Sequence, residues 1–250
     1  MLSLGIFQAS LAYISVKNTH DALCMRCDFG IMRDHYNCSS LFIEFVEDFH
    51  DLFACFLVQC TRRFIRKQNL RELCAPLGEN FLVIANIPYN ITTPIFEVLW
   101  ESGLSIRQIS VMIQKEVAQR LCAAPGTGEY GAFSVLVQWY AEPKLLFDVP
   151  PHCFVPQPKV TSAVVRMDRR AAPPASVDDK KLFFRTVRAA FAQRRKTLSN
   201  ALRSGFSELD RAAIESAMEE TGLPPAVRGE TLSIAQFAAL SNALLRKFDK

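Results

Sequence analysis

Asn86, Pro88 and Tyr89 stand almost side by side in the stretch FLVIANIPYNITTPIFEVLW, residues 81–100. An asparagine side chain offers a carbonyl acceptor. The residue before a proline is held extended, and proline fixes its own φ at about −65°. The Pro88 carbonyl can therefore be aimed beside the Asn86 amide oxygen, and Tyr89 adds a flat face for stacking. Two converging acceptors next to an aromatic ring suit an exocyclic amine on an aromatic base. Such a nitrogen is a poor nucleophile, because its lone pair is delocalised into the ring. Acceptors on its hydrogens favour a more pyramidal nitrogen, able to attack an adjacent sulfonium methyl in line. This chemistry rests on positioning and hydrogen bonding and needs no metal and no histidine base. The base must leave its stack to enter, and a stacking ring offsets part of that cost.

The elements around the triplet are those that would hold it at a strand end. Phe81–Ala85 is an apolar run of strand length. Thr93-Pro94 suits a helix start, with the helix running toward Leu99. In open α/β sheets, ligands bind at the carboxyl ends of strands, and residues 86–89 occupy such a place. Further on, Ile109–Gln114 is expected as a strand and Lys115–Ala123 as a helix stopped by Pro125-Gly126. Phe133–Tyr140, Lys144–Val149 and Ser162–Met167 are expected as strands. After the linker AAPPA at 171–175 the pattern becomes helical: Lys180–Ala192, Lys196–Gly205, Glu208–Thr221, closed by Gly222, and Ile234–Lys247, capped by Ser233. Before residue 70, Leu41 to Phe56 carries apolar residues at helical spacing, with Glu44, Glu47, Asp48 and Asp51 on the other face.

Charge separates the same regions. The 250 residues carry a formal charge of only +4. From Arg166 to Arg203, however, eleven Lys/Arg face three Asp, whereas Met1 to Gln68 holds seven of each sign. A local basic excess is the footprint expected of phosphate binding. Eight cysteines without a convincing secretory signal predict a reducing cytoplasm and free thiols. No apolar stretch after the first residues is long enough to span a membrane. Cys24, Cys27, His35 and Cys38 are too cramped for a zinc site, so no metal is expected.

Five stretches together resemble the small-subunit ribosomal RNA adenine dimethyltransferases, the dimethyladenosine transferase family. They are NIPYNITTPIFEVL, MIQKEVAQRLCAAPGTGEYGAFSVLVQ (112–138), VPPHCFVPQPKVTSAVVRM (149–167), FAQRRKTLSNAL (191–202) and RGETLSIAQFAALSNAL (228–244). The resemblance implies an α/β, Rossmann-like methyltransferase sheet followed by a small all-helical C-terminal domain. It implies S-adenosyl-L-methionine as cofactor and small-subunit rRNA, or the immature small subunit, as partner. Asn86 would touch both cofactor and target amine, and the Pro88 carbonyl would accept from that amine. Tyr89 and Phe154 would stack on the two faces of the adenine, although core packing competes as a reading of Phe154. Lys159 would meet a phosphate, or else be a solvated lysine. Gln193, Arg194, Arg195 and Lys196 would lie on the RNA-facing edge.

The resemblance covers residues 70 to the C-terminus and stops there. The family opens with a strand ending in a Glu-x-Gly-x-Gly loop, which lets the backbone approach the cofactor. Residues 1–69 contain only Gly5 and Gly30, so no such loop is present among them, and Asp21 in HDALCMRCDF is the one faint counterpart of an acidic ribose ligand. A frame-shifted or misjoined upstream coding segment would produce this junction. Three segments are therefore expected: an unmatched Phe/Cys-rich head (1–69), a methyltransferase-like α/β region with the target-base pocket (70–172), and a helical RNA-binding domain (173–250). The function implied is dimethylation of rRNA adenines by a cytoplasmic monomer without membrane association. Two alternatives stay open: a non-catalytic rRNA-binding or ribosome-assembly protein, and a methyltransferase acting on DNA or a small amine.

Overall fold

The computed structural model describes residues 80–87 and 92–248, together with short strands at 23–24, 31–32 and 55–57. The chain divides into two compact units. One comprises Met1–Ala118 and Lys144–Arg169, the other Gln119–Pro143 and Arg170–Lys250. Residues 119–143 thus fold with the helical tail, while the linker side of the division lies at Arg170, close to the composition change in the sequence.

The first unit is built on a mixed sheet of six strands. These are β1 (Leu23–Cys24), β3 (Cys55–Leu57), β4 (Phe81–Asn86), β5 (Ile106–Gln114), β6 (Ala141–Val149) and β8 (Ser162–Arg169), in the order β1-β3-β4-β5-β8-β6. β1, β3, β4 and β5 run parallel, and β8 returns antiparallel to β5. Parallel strands are covered on both faces and read as continuous apolar runs. Accordingly Leu82, Val83, Ile84 and Ala85 of β4 are all buried, as is every residue from Gln108 to Ile113 in β5. Buried Gln108 is satisfied across the β5–β8 pair, where its amide donates to Asp168 at 3.0 Å. The two-residue β2 (Ile31–Met32) pairs antiparallel with β7 (Phe154–Val155) in a second small sheet.

Helix α1 (Thr92–Glu101) buries Thr92, Phe96, Leu99 and Trp100, one stripe of an amphipathic helix. Thr93 and Pro94 fall inside its first turn, a position proline tolerates because the N–H it lacks has no partner there. Gly103, at φ 73°, ends it. Strands β4, β5 and β8 and helix α2 (Lys115–Cys122) match the expected elements to within three residues at each end. The expected helix over 41–56 overlaps strand β3 at Cys55 and Phe56, and the rest of it lies outside the described residues.

The expectation of a strand over 133–140 is wrong: Ala132–Tyr140 is helix α3. Its run of Phe, Val, Trp and Tyr has the composition of a strand, but Ser134 and Gln138 are four residues apart and share one helical face. Ser134 Oγ donates to the Arg120 carbonyl at 2.5 Å, and the Gln138 amide donates to the carbonyls of Leu121 and Ala123, each at 2.9 Å. These are carbonyls at the end of α2, which a helix leaves without intrahelical partners.

The second unit adds α4 (Lys180–Ala192), α5 (Leu198–Gly205), α6 (Arg211–Glu220) and α7 (Ile234–Phe248). Local signals set their ends. Asp179 caps α4 by accepting from the Lys181 and Leu182 amides, and Asp210 caps α6 through the Ala213 amide. The expected start at Glu208 is therefore displaced to Asp210. Gly222, at φ 67°, closes α6 with the paired bonds Gly222 N–H to Glu219 O and Leu223 N–H to Met218 O, both 2.9 Å, of a Schellman motif. Ser233 and Gln236 form a reciprocal capping box at α7, as the sequence leads one to expect. The core between these helices is aromatic. Trp139 packs on Phe183 with centroids 4.3 Å apart, and Tyr130 meets Phe191 edge-on at 5.7 Å. Burial pushes the Tyr130 hydroxyl up to about 12.

Candidate functional site

Asn86 is the last residue of β4, at the carboxyl end of a parallel pair, and is half-buried. Pairing continues one residue further, since the Ile87 amide donates to Met112 O at 3.1 Å. Ile87 is itself buried. Strand alternation puts Asn86 on the face of Leu82 and Ile84, opposite Ile87. The flanking residues are thus locked into the sheet and the amide is carried on a rigid strand end. Pro88 and Tyr89 lie outside the described residues, as do Asp21 and the side chains of Cys24, Cys27, His35 and Cys38.

Across the sheet, Asn86 is in register with Met112 of β5. Met112 belongs to a buried cluster with Val149, Cys153, Phe154 and Val164. Phe154 is therefore brought to the same end of the sheet as Asn86, separated from it by one cross-strand neighbour. Its ring is only 7% exposed, so it is part of the core here as well as a candidate stacking face. The segment that follows is tied to the carboxyl end of β5 by the Lys115 amide, which donates to Thr161 O at 3.0 Å, while the Lys115 ammonium pairs at 2.6 Å with Asp148 of β6, ahead of Phe154. On this segment Lys159 is exposed, next to the exposed Val160. Sequence reasoning named Phe154 and Lys159 but missed Met112 and Lys115. Nothing in their residue types marks them; only the register and the return of the chain at Thr161 do.

The basic segment lies in the second unit, at the turn between α4 and α5. Gln193 donates to Ser204 Oγ at 2.9 Å. The Arg194 guanidinium donates to the carbonyls of Gly128 (2.8 Å) and Tyr130 (3.1 Å) and pairs with Glu230 at 3.3 Å. Arg195 and Lys196 are exposed, and neither makes a hydrogen bond or ion pair through its side chain among the described residues. Arg194 thus braces the turn that displays the other two. Among the described residues no group of three His, Cys, Asp or Glu could hold a metal, and no helix is long and apolar enough to cross a membrane. Cys153 is buried and disulfide-bonded, against the expectation of free thiols throughout.

Residues 58–245 match the model of the family described as ribosomal RNA adenine dimethylase. The match begins about a dozen residues before the expected boundary near 70, so residues 58–69 go with the matched part. The ribosomal RNA small subunit methyltransferase A of Geobacillus thermodenitrificans is 46% identical over 195 residues, covering 74% of this chain and 67% of that protein. The protein of the same name from Geobacillus kaustophilus is 49% identical over 171 residues, covering 68% of this chain and 58% of its own length. The chain thus spans about three fifths to two thirds of these relatives. Among solved structures, a dimethyladenosine transferase from Plasmodium falciparum superposes with a TM-score of 0.58 at 18% identity, covering 75% of this chain and 80% of that one, which supports the Rossmann-like methyltransferase fold. With the family model matched over three quarters of its length, the chain belongs to the ribosomal RNA adenine dimethylase family.

Proposed function

We propose that this chain recognises and methylates the exocyclic amines of adenines in small-subunit rRNA, as a cytoplasmic monomer acting on the immature small subunit. The observation that carries the proposal is the placement of Asn86 at the carboxyl end of β4, with Phe154 in the cluster beside its register partner Met112. In this reading the Asn86 amide oxygen and the Pro88 carbonyl accept from the target amine and free its lone pair. Tyr89 and Phe154 hold the adenine between them. Lys159, Arg195 and Lys196 are exposed cations that meet phosphates, and Arg194 braces the turn that carries Arg195 and Lys196. S-adenosyl-L-methionine, when bound, supplies the methyl group. In this reading Asn86 would also face it, but residues 1–69 offer no Gly-x-Gly loop to admit its methionine end.

That missing loop favours a second reading, in which the chain binds rRNA without turnover. Two measurements separate them. In calorimetric titration, S-adenosyl-L-methionine is expected to bind weakly or not at all. Micromolar binding would show that the head builds a cofactor site of its own, to be sought first at Asp21 and Asp28. Labelled methyl incorporation into immature small-subunit rRNA is the direct test of the first reading. If it occurs, Asn86→Ala should abolish it while leaving RNA affinity nearly intact, since the amide acts only on the attacking amine. Incorporation that survives Asn86→Ala would remove this residue from the chemistry, and RNA binding without incorporation would select the second reading.

A further inference from the structure

We propose that Gln114 reads the target base: its side-chain amide donates to a ring nitrogen of the adenine, N1 or N7, beside the amine that Asn86 and Pro88 accept from. The inference rests on the reading of adenine as the target and assigns a base-specifying residue to that same site.

Register places Gln114. It is the last residue of β5, as Asn86 is the last of β4. Asn86 pairs with Met112, two residues before Gln114. Residues in register share a face of the sheet, and alternate residues of a strand return to that face. Gln108, Ser110, Met112 and Gln114 of β5 therefore lie on the face of Asn86, and Ile109, Val111 and Ile113 on the other. The pairing with β8 agrees. Gln108 is opposite Asp168, to which its side chain donates, and Met112 is opposite Val164, with which it clusters around Phe154. Asn86, Gln114 and the Phe154 cluster thus share one face at the carboxyl end of the parallel strands, where ligands bind in such sheets. Neighbouring strands lie about 4.8 Å apart and two residues rise about 6.6 Å, so the Asn86 and Gln114 backbones stand about 8 Å apart. Side chains reaching across that interval can meet adjacent atoms of one base.

The fold also leaves the Gln114 amide unspent. Of the two glutamines on this face, Gln108 is buried and donates to Asp168 at 3.0 Å. Gln114 is half-buried, and its side chain has no hydrogen-bond partner among the described residues. It stands directly before α2 and yet caps none of that helix's first amides there; the Lys115 amide goes to the Thr161 carbonyl instead. Its backbone is fixed by that neighbouring bond and by pairing with Ser162.

The chemistry follows from what two acceptors leave unread. The Asn86 oxygen and the Pro88 carbonyl select an amine but not the ring that carries it. Adenine sets its amine between two ring acceptors, N1 and N7, whereas guanine has an oxygen in the amine's place and a hydrogen on N1. A glutamine amide carries two N–H donors, and glutamine is a residue type that reads adenine N7 in a DNA groove. A donor on a ring nitrogen also stops the base from turning in its own plane, which fixes the direction of the amine.

The test is binding of the full chain to an RNA hairpin with one unpaired base, made as adenine, 1-deazaadenine, 7-deazaadenine or purine without the amine, beside thermal unfolding of each variant. The unaltered chain should bind the adenine form about two- to tenfold tighter than one of the two deaza forms, the factor of one hydrogen bond. Gln114→Leu, which keeps the bulk and removes the donors, should lose that factor on adenine and nothing further on that deaza form, with an unchanged unfolding midpoint. Gln114→Glu, which puts acceptors against the ring nitrogen, should lose more. Equal binding of adenine and both deaza forms by the unaltered chain overturns the assignment. So does a Gln114→Leu variant that binds adenine normally, or one that weakens all four forms alike. In these cases a preference for adenine over purine leaves the amine pocket standing. If the unaltered chain binds the purine form as tightly as adenine, the amine pocket itself falls and takes the role of Gln114 with it.

Discussion

At the scale of single residues, the site couples chemistry to packing. Asn86 is half-buried on a strand end whose next residue, Ile87, is both buried and hydrogen-bonded, so its amide has little freedom to wander. Phe154 is more ambiguous from sequence, where stacking and core packing are both open, and at 7% exposure it packs in the core. Substitutions can separate the two. Phe154→Ala removes a ring from a buried cluster and should cost about 3–5 kcal/mol of stability. Phe154→Leu keeps an apolar side chain of fair size and should cost far less, but it removes the flat face. If the ring stacks on a base, the Leu variant should bind an RNA with an unpaired adenine about 1–3 kcal/mol more weakly, with an unfolding midpoint close to that of the unaltered chain. Equal affinity in the Leu variant would leave Phe154 as a core residue alone. The strand end at Asn86 was legible because an apolar run of strand length stops there, whereas a role for its amide came only with the family resemblance, since an Asn-x-Pro-Tyr turn after a strand also arises by chance. Met112 was not, because a methionine in a strand of apolar residues looks like any other core residue.

At the scale of elements, the sharpest constraint is the contact between α4 and α5. A Cβ on Gly205 would stand 2.3 Å from Ala189 Cβ and 3.3 Å from Ala189 Cα. Neither atom can rotate away, so the helices themselves would have to part. Gly205→Ala should therefore destabilise the helical unit by about 1–3 kcal/mol, the usual cost of overpacking, read as a lower urea midpoint. Gly128→Ala is the control, for a Cβ there has nothing within 4 Å. Equal midpoints for the two variants would mean that the hairpin is looser than its geometry shows. The ends of α4, α6 and α7 were largely legible because Asp179, Gly222 and Ser233 act through their own backbone neighbourhoods. Helix α3 was illegible for the opposite reason. Its residues have strand composition, and what fixes it as a helix is the reach of Ser134 and Gln138 to carbonyls of α2, a partner that local pattern cannot reveal. Gly205 belongs to the same class, since nothing in LRSGFS announces that Ala189 lies against it.

At the scale of the whole molecule, composition separated an α/β region from a helical one, yet residues 119–143 cross that division and fold with the helices. Their aromatic residues, Tyr130 and Trp139, complete the core of the second unit, and linear order gives no sign of it. The same unit carries ion pairs that link its helices. Glu208 is held below the usual carboxylate range first by its hydrogen bond from Arg185. Glu220 is held low first by Lys247 and then by Arg246, which join α6 to α7. In both cases the folded carboxyl binds a proton less readily than the unfolded one, whose value is about 4.3. The stability these pairs contribute is therefore fully present above that value and is lost as pH falls through the lower folded values. The pairs are exposed, so the contribution is small and screened by salt. Unfolding of the helical unit, followed through Trp139, should accordingly have a midpoint that is flat from pH 7 to about 5 and declines below about 4, more steeply at low salt than at high. Glu208→Gln/Glu220→Gln should lower the midpoint at neutral pH and flatten the acid decline, because the carboxyls that gain protons on unfolding are gone. A double variant whose acid limb matches that of the unaltered chain would show that other carboxylates govern the acid response and that α6 and α7 are held by their apolar faces alone.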